Sequence, residues 1–332
     1  MTTVPLIIIF LSFIGFLIAW NIHHKKTSGE KLVCLVGKDC DAVIHSQYSE
    51  FLGIPNAILG MFYFAFVALS YGAHMIYPSI GTPAFVFVML SVSALALLFS
   101  LYLTLIQTLA LRTWCEWCVL SALISVSIFA LAFVEYNENI LELLRDNYQL
   151  IAILHGIGAA IGVGGATITD VFFFKFLKDF RISEYESEIL NTISQIIWAA
   201  LALIVLTGIA LYLPNVEALN ANPKFLIKMI VVSVLIMNGV ILNFAIAPKL
   251  ISISFGEKHD HQSGELHLIR KTAFALGSVS IISWYSAFVL GSIRSINLDF
   301  WMLFLIYLLL LTMGILASQI MERILEIKSS EK

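Results

Sequence analysis

Four cysteines fall into two close pairs, Cys34 with Cys40 and Cys115 with Cys118. The second pair is a Cys-x-x-Cys, Cys115-Glu-Trp-Cys118, that follows Arg112 and Trp114 and opens a hydrophobic run. A spacing of i and i+3 sets both sulfurs on one face of a helix. The first turn of a helix leaves N–H groups unpaired and carries the positive end of the helix dipole, and Arg112 adds a cation nearby. Both effects favour thiolate, the species that attacks disulfides. Trp114 and Trp117 suit a membrane interface, where a site can be approached from lipid on one side and water on the other. The first pair, Cys34-Leu-Val-Gly-Lys-Asp-Cys40, lies in a polar stretch after the first hydrophobic run. A loop dithiol there can visit an aqueous partner and then the helix-borne pair, so it can relay electrons. Two readings without redox chemistry compete. A structural zinc site would join the Cys-x-x-Cys with a second pair or a histidine; the gap between Cys34 and Cys40 is wider than usual for zinc, though His45 could complete a set. A purely structural loop disulfide would leave the Cys-x-x-Cys unexplained.

The elements that must carry these residues are membrane helices. The chain is 332 residues long, 60% hydrophobic and 12% charged, with a mean hydropathy of +0.93. A soluble core cannot bury that much apolar surface. The net charge of −3 gives no electrostatic case for a nucleic-acid partner. Nine stretches reach the roughly 20 apolar residues that cross a hydrocarbon core: 4–22, 54–73, 83–110, 114–135, 149–169, 190–213, 225–247, 273–291 and 299–320. With no water in the bilayer to satisfy backbone groups, all nine are expected to be α-helices. The third is long enough to require tilt. The first lacks a basic leading region and a small-residue cleavage site, so it reads as a retained anchor. The expected fold class is an all-α integral membrane protein. A four-helix bundle over 1–135 and a linker over 136–148 precede a second bundle of about five spans over 149–332.

The second bundle carries fewer signals. Its first span holds His155 and a Gly158-x-x-x-Gly162 that lets helices approach closely. An intramembrane histidine can ligate haem or copper, pass a proton or simply hydrogen-bond between helices, and the last of these is the favoured reading. The polar loop with His259, His261 and His267 clusters imidazoles with carboxylates, but its spacing matches no closed metal site. Fifteen of the nineteen Lys and Arg fall on the side of the membrane that holds the Cys34–Cys40 loop. By the positive-inside rule that loop faces the cytoplasm of the cell membrane.

Several separated elements of the first 135 residues resemble the vitamin K epoxide reductase family, including its microbial disulfide-forming members. They are the loop pair, Ser46, Gly53-Ile-Pro55, the run Asn56-Ala-Ile-Leu-Gly60-Met-Phe-Tyr63 and Cys115-x-x-Cys118, in that order. The resemblance implies a four-helix bundle around a quinone. It implies that Cys118 faces the quinone and that Cys115 is its partner. Cys40 would be the loop cysteine that attacks Cys115, and Cys34 the outer sulfur that meets a thioredoxin-like protein. Asn56 would hydrogen-bond a quinone carbonyl, and Ser46 would order the loop over the site. An amide N–H suits an oxygen that gains negative charge in a dry pocket. The animal enzymes carry a tyrosine four residues after the second cysteine of the motif. Ala122 stands here, which favours quinone reduction over epoxide reduction. Many microbial members carry a fused thioredoxin-like domain, whereas no soluble βαβ pattern follows here, so the partner is expected in trans.

The expected function is therefore that of a membrane oxidoreductase. It would pass electrons from thiols through both cysteine pairs to menaquinone or ubiquinone, driving disulfide formation. The alternative is a metal- or haem-binding membrane protein or transporter, built on His155 and the His259–His267 loop, with structural cysteines.

Overall fold

The computed structural model describes residues 3–34, 39–136, 140–176, 184–246, 265–294 and 296–330. Among them, nine helices are long and apolar enough to cross a membrane. Each overlaps one of the nine stretches read from hydropathy. Large apolar side chains such as Phe10, Leu69, Val134, Trp301 and Leu316 lie exposed on their outer faces. That is the pattern of a multi-pass membrane protein, whose lipid-facing surface is as apolar as its core.

The chain forms two compact units, Met1–Ile151 and Ala152–Lys332. The first contains α1 (Thr3–Ser28), α2 (Cys40–Ile44), the strands β1 (Glu50–Phe51) and β2 (Ile54–Pro55), α3 (Asn56–Ile76), α4 (Pro83–Leu105), α5 (Glu116–Tyr136) and α6 (Ile140–Asp146). Helix α4 is prolonged by a π-helical segment, Ile106–Leu111. Local chemistry sets several ends. Gly29, at φ 68°, follows α1 in the left-handed conformation that glycine adopts freely after a helix. Pro83 occupies the first turn of α4, and the Thr82 hydroxyl accepts the Phe85 N–H at 3.3 Å. Helix α1 packs along α3 and α5, and α4 along α5. The core between them is Ile8, Ile18, Phe64, Val67, Tyr71, Met89, Ile124, Ile128 and Ala132. A Cβ on Gly15 would lie 2.5 Å from the Phe64 ring, so only glycine lets α1 and α3 close there.

The stretch between α1 and α3 was expected as a loop, but it holds local structure. Asp39 caps α2 by accepting the Ala42 N–H at 3.0 Å. The β1–β2 hairpin turns through Leu52 and Gly53, both at positive φ, as a two-residue type I′ connection requires.

The second unit contains most of α7 (Tyr148–Phe176), then α8 (Glu184–Tyr212), α9 (Val216–Asn220), α10 (Pro223–Ile241), α11 (Glu265–Ser292) and α12 (Phe300–Ser330). A second π-helical segment, Leu242–Ile246, prolongs α10. Ala166, Leu201, Ile204, Leu235 and Trp284 form a buried cluster. The small residues of α7 meet large neighbours: a Cβ on Gly158 would lie 3.0 Å from Ile204, and one on Gly162 2.3 Å from the Trp284 ring. This is the close approach that the Gly-x-x-x-Gly spacing predicted. Helices α11 and α12 share a buried ion pair, in which the Arg270 Nε donates to Glu322 Oε1 at 2.6 Å.

Candidate functional site

The site is assembled where the end of α4, the start of α5 and the α1–α3 connection meet. The π-helical end of α4 closes through Arg112, which adopts φ 52° and gives its N–H to the Gln107 carbonyl. Thr113 donates to the same carbonyl at 3.2 Å. Such a left-handed residue without glycine costs on the order of 1–3 kcal/mol, so the surrounding bonds must hold it. Helix α5 begins at Glu116, and Cys115 is the residue that caps it. Its carbonyl accepts the Val119 N–H at 3.0 Å. Its sulfur accepts the Cys118 N–H at 3.4 Å. Its own N–H is taken by the Gln107 side-chain oxygen at 2.9 Å. This is the reciprocal logic of a capping box, with a cysteine sulfur for the serine hydroxyl and a glutamine from the preceding helix for the usual N3 acid.

The consequence is electrostatic. The Cys118 thiol donates to Cys115 and holds its pKa below the ordinary thiol value. Burial opposes this shift, and the backbone N–H groups of Cys118 and Trp117 add to it. The sequence placed Arg112 among the thiolate-stabilising groups. The structure instead leaves its side chain exposed and uses its backbone to end α4.

Cys34 and Cys40 are joined in a disulfide, with their Cα atoms 5.7 Å apart, whereas Cys115 and Cys118 are free thiols. Cys40 opens α2 and is buried beside Cys115 in one apolar cluster with Leu32, Val43 and Ile44. Cys34, Trp117 and Cys118 pack around that cluster, and Cys34 is the more accessible sulfur of its pair. The Trp117 indole N–H reaches the Val33 carbonyl at 3.3 Å, and the Asp41 carboxylate accepts the Leu32 N–H at 3.4 Å. The first bond ties the segment before Cys34 to the start of α5, and the second ties it to α2.

Cys118 also lines a cavity of about 120 Å³ enclosed by α1, α3, α4, α5 and the connection. Ser46, Asn56, Gln107, Ser121 and Ala122 share its wall. Asn56 opens α3 and donates from Nδ2 to the Tyr48 carbonyl at 2.8 Å. Its Oδ1 is buried without a partner among the described residues. The Ser46 hydroxyl donates to the Val43 carbonyl at 2.8 Å, which ties the end of α2 to the cavity rim. Lys26, from the last turn of α1, reaches the cavity and donates to the Ser49 hydroxyl at 2.9 Å and to Glu50 at 3.1 Å. Two of the cavity-lining residues carry little signal in the sequence: Gln107 sits inside an apolar run, and Lys26 reads only as charge.

The metal candidates lie in the second unit. His155 meets the Thr207 hydroxyl at 2.9 Å through Nδ1 and the Lys228 ammonium at 3.3 Å through Nε2. With a cation on one nitrogen and a hydroxyl on the other, its environment is a hydrogen-bond network across three helices. His259 and His261 fall outside the described residues, as does the side chain of His267. Among the described residues, no three His, Cys, Asp or Glu side chains form a metal-binding group.

Residues 6–133 match the model of the Vitamin K epoxide reductase family. Neither a curated protein nor a solved structure matches the chain. Residues 6–133 are thus similar to the vitamin K epoxide reductase family, whose members are membrane thiol/quinone oxidoreductases, and further apolar helices follow that stretch.

Proposed function

We propose that this domain oxidises the thiols of a thioredoxin-like partner supplied in trans and passes the electrons to a membrane quinone, menaquinone or ubiquinone. The observation that carries the reading is the arrangement of four sulfurs. Cys34 is the more accessible of the loop pair, Cys40 and Cys115 share a buried cluster, and Cys118 lines the cavity that Asn56 also lines. Read in that order, they connect water to lipid.

The chemistry balances in three exchanges. A partner thiolate attacks Cys34, Cys40 leaves as thiolate, and the second partner thiol closes the partner's disulfide. The Cys40 thiolate then attacks Cys115 of a Cys115–Cys118 disulfide, releasing Cys118 towards the cavity. Cys34 resolves this link, restoring Cys34–Cys40 and leaving Cys115 and Cys118 as thiols. That product pairs the sulfurs as the structure does, Cys34 with Cys40, and leaves Cys115 and Cys118 free. Reformation of the Cys115–Cys118 disulfide delivers two electrons to the quinone, which takes up two protons. The lowered pKa of Cys115 fits its turn as attacked sulfur and then as leaving group, because a stabilised thiolate leaves readily. The Asn56 amide supplies a donor for a carbonyl that gains charge. Ser46 holds the connection over the cavity.

The charge distribution supports a cytoplasmic site, because the loop side carries most Lys and Arg. The deciding experiment is quinone reduction by the purified full-length chain given a reduced thioredoxin-like donor. Turnover that vanishes in Cys118→Ala supports the route. Equal turnover in the variant, or none with either quinone, refutes it.

A further inference from the structure

Gln107 joins the cavity wall to the dithiol. It is 4% exposed, lines the cavity and sits in the π-helical end of α4, a feature that marks functional sites in many helices. Its Oε1 accepts the Cys115 N–H at 2.9 Å. A backbone N–H can only donate, so the atom facing Cys115 must be the amide oxygen, and the orientation of the amide is settled by its partner. The NH2 group is then turned away from Cys115, on a side chain that lines the cavity. An amide donor on a cavity wall is available to a ligand oxygen.

A quinone carries two carbonyl oxygens on opposite edges of its ring. Asn56 approaches the cavity from α3, whereas Gln107 approaches from α4. We propose that Gln107 is a second quinone-binding residue, whose Nε2 donates to the carbonyl remote from Asn56 while Oε1 holds the Cys115 N–H. One side chain then links occupancy of the cavity to the position of the capping cysteine. Loss of the quinone frees the amide to rotate, and rotation removes the acceptor of the Cys115 N–H. The inference rests on the quinone reading of the cavity.

The two functions of the amide separate by substitution. Gln107→Glu keeps an oxygen for the Cys115 N–H and removes the NH2 donor. Gln107→Met keeps the length and removes both. The probe is a short-chain naphthoquinone, titrated into the detergent-solubilised full chain by quenching of tryptophan fluorescence. It is also used as the acceptor in steady-state turnover. The second readout is the rate at which Cys115 is alkylated in protein whose Cys34–Cys40 disulfide is intact.

At a pH where the new carboxylate is ionised, Gln107→Glu is expected to raise Kd and KM for the naphthoquinone about tenfold, the weight of one hydrogen bond. Compared at a pH where Cys115 is fully ionised in both proteins, its Cys115 alkylation rate stays within about twofold of wild type, because the cap is retained and the effect of the new charge on ionisation is removed from the comparison. Gln107→Met is expected to weaken binding similarly and also to change the alkylation rate. If Gln107→Glu binds and turns over the probe as wild type does, and only Gln107→Met is altered, Gln107 is a cap alone and the inference is overturned. If wild-type protein neither binds nor reduces the probe, the quinone reading itself fails, which is a separate result.

Discussion

Replacement of Asn56 tests the cavity most directly. Its Nδ2 bonds the Tyr48 carbonyl at 2.8 Å, and its Oδ1 is buried without a partner among the described residues. In Asn56→Leu two contributions are lost. The bond to Tyr48 stabilises the connection by about 1 kcal/mol, so the cost to folding is modest. The proposed donation from the second Nδ2 hydrogen to a quinone carbonyl would be worth more, because removal of one such group typically lowers the rate about 10²- to 10³-fold. The expectation is a fall of roughly 10² in kcat/KM for the quinone. The apparent KM for the thiol donor should stay near wild type, because the Cys34–Cys40 end is untouched. Asn56→Asp sharpens the test. The carboxylate keeps the shape but sets an acceptor against the Tyr48 carbonyl and against the quinone oxygen, so its defect should equal or exceed that of leucine. The assay is anaerobic quinone reduction at varied quinone and fixed reduced donor, with disulfide mapping to confirm that Cys34–Cys40 is intact. Leucine and aspartate variants that remain folded and reduce quinone within about threefold of wild type would refute the reasoning, because no charge-stabilising donor could then be assigned to Asn56.

Three further outcomes are expected. Cys115 should ionise below an ordinary thiol in protein with the loop disulfide intact, and Cys118→Ala, which removes the largest cause of that shift, should move the titration upward; thiolate ultraviolet absorbance against pH measures this, and an unmoved midpoint contradicts the capping account. Glu322→Ala takes the carboxylate from the buried Arg270 and should cost about 3–5 kcal/mol, whereas Arg270→Met with Glu322→Leu should recover most of it; retained thermal stability in the single variant counts against the pair as a structural element. A reporter fused after Lys31 should be active in the cytoplasm, and activity confined to the outside of the cell would overturn the proposed orientation.

The membrane architecture was legible because hydropathy over about 20 residues is a strong signal and lipid leaves helices as the outcome. The cysteine spacing was legible for a related reason, since a Cys-x-x-Cys at the edge of an apolar run has few structural uses. What composition hides is pairing across long separations. Gln107 lies eight residues before Cys115, on the far side of a π-helical end and a left-handed Arg112, and no periodicity announces either feature. A polar residue at the end of an apolar span was the available clue. Helix α2 was missed because five residues carry too little pattern, although Asp39 ahead of Cys40 is a recognisable cap. The His155–Thr207–Lys228 network draws on α7, α8 and α10, so the sequence could name His155 as a candidate but not its partners.

The same geometry bears on why two dithiols are used where one could reduce a quinone. A single pair would have to meet both a water-borne partner and a ring in the bilayer. Here the pair beside the cavity is fixed: Cys115 is buried and tied through its N–H, its carbonyl and its sulfur. A thiol held that way cannot travel, but its sulfur stays aligned and its thiolate stays stabilised by the helix end. On the proposed route the contact with the partner falls to Cys34, and α2 sets Cys40 in the same cluster as Cys115. If Cys40 and Cys115 exchange as proposed, their burial keeps water from the step, and electrons cross it as one sulfur–sulfur bond replaces another. On that route the Trp117–Val33 bond, which ties the connection to α5, and the Asp41–Leu32 bond within the connection both bear on the exchange. Weakening either contact should slow transfer between the pairs while leaving quinone binding unchanged.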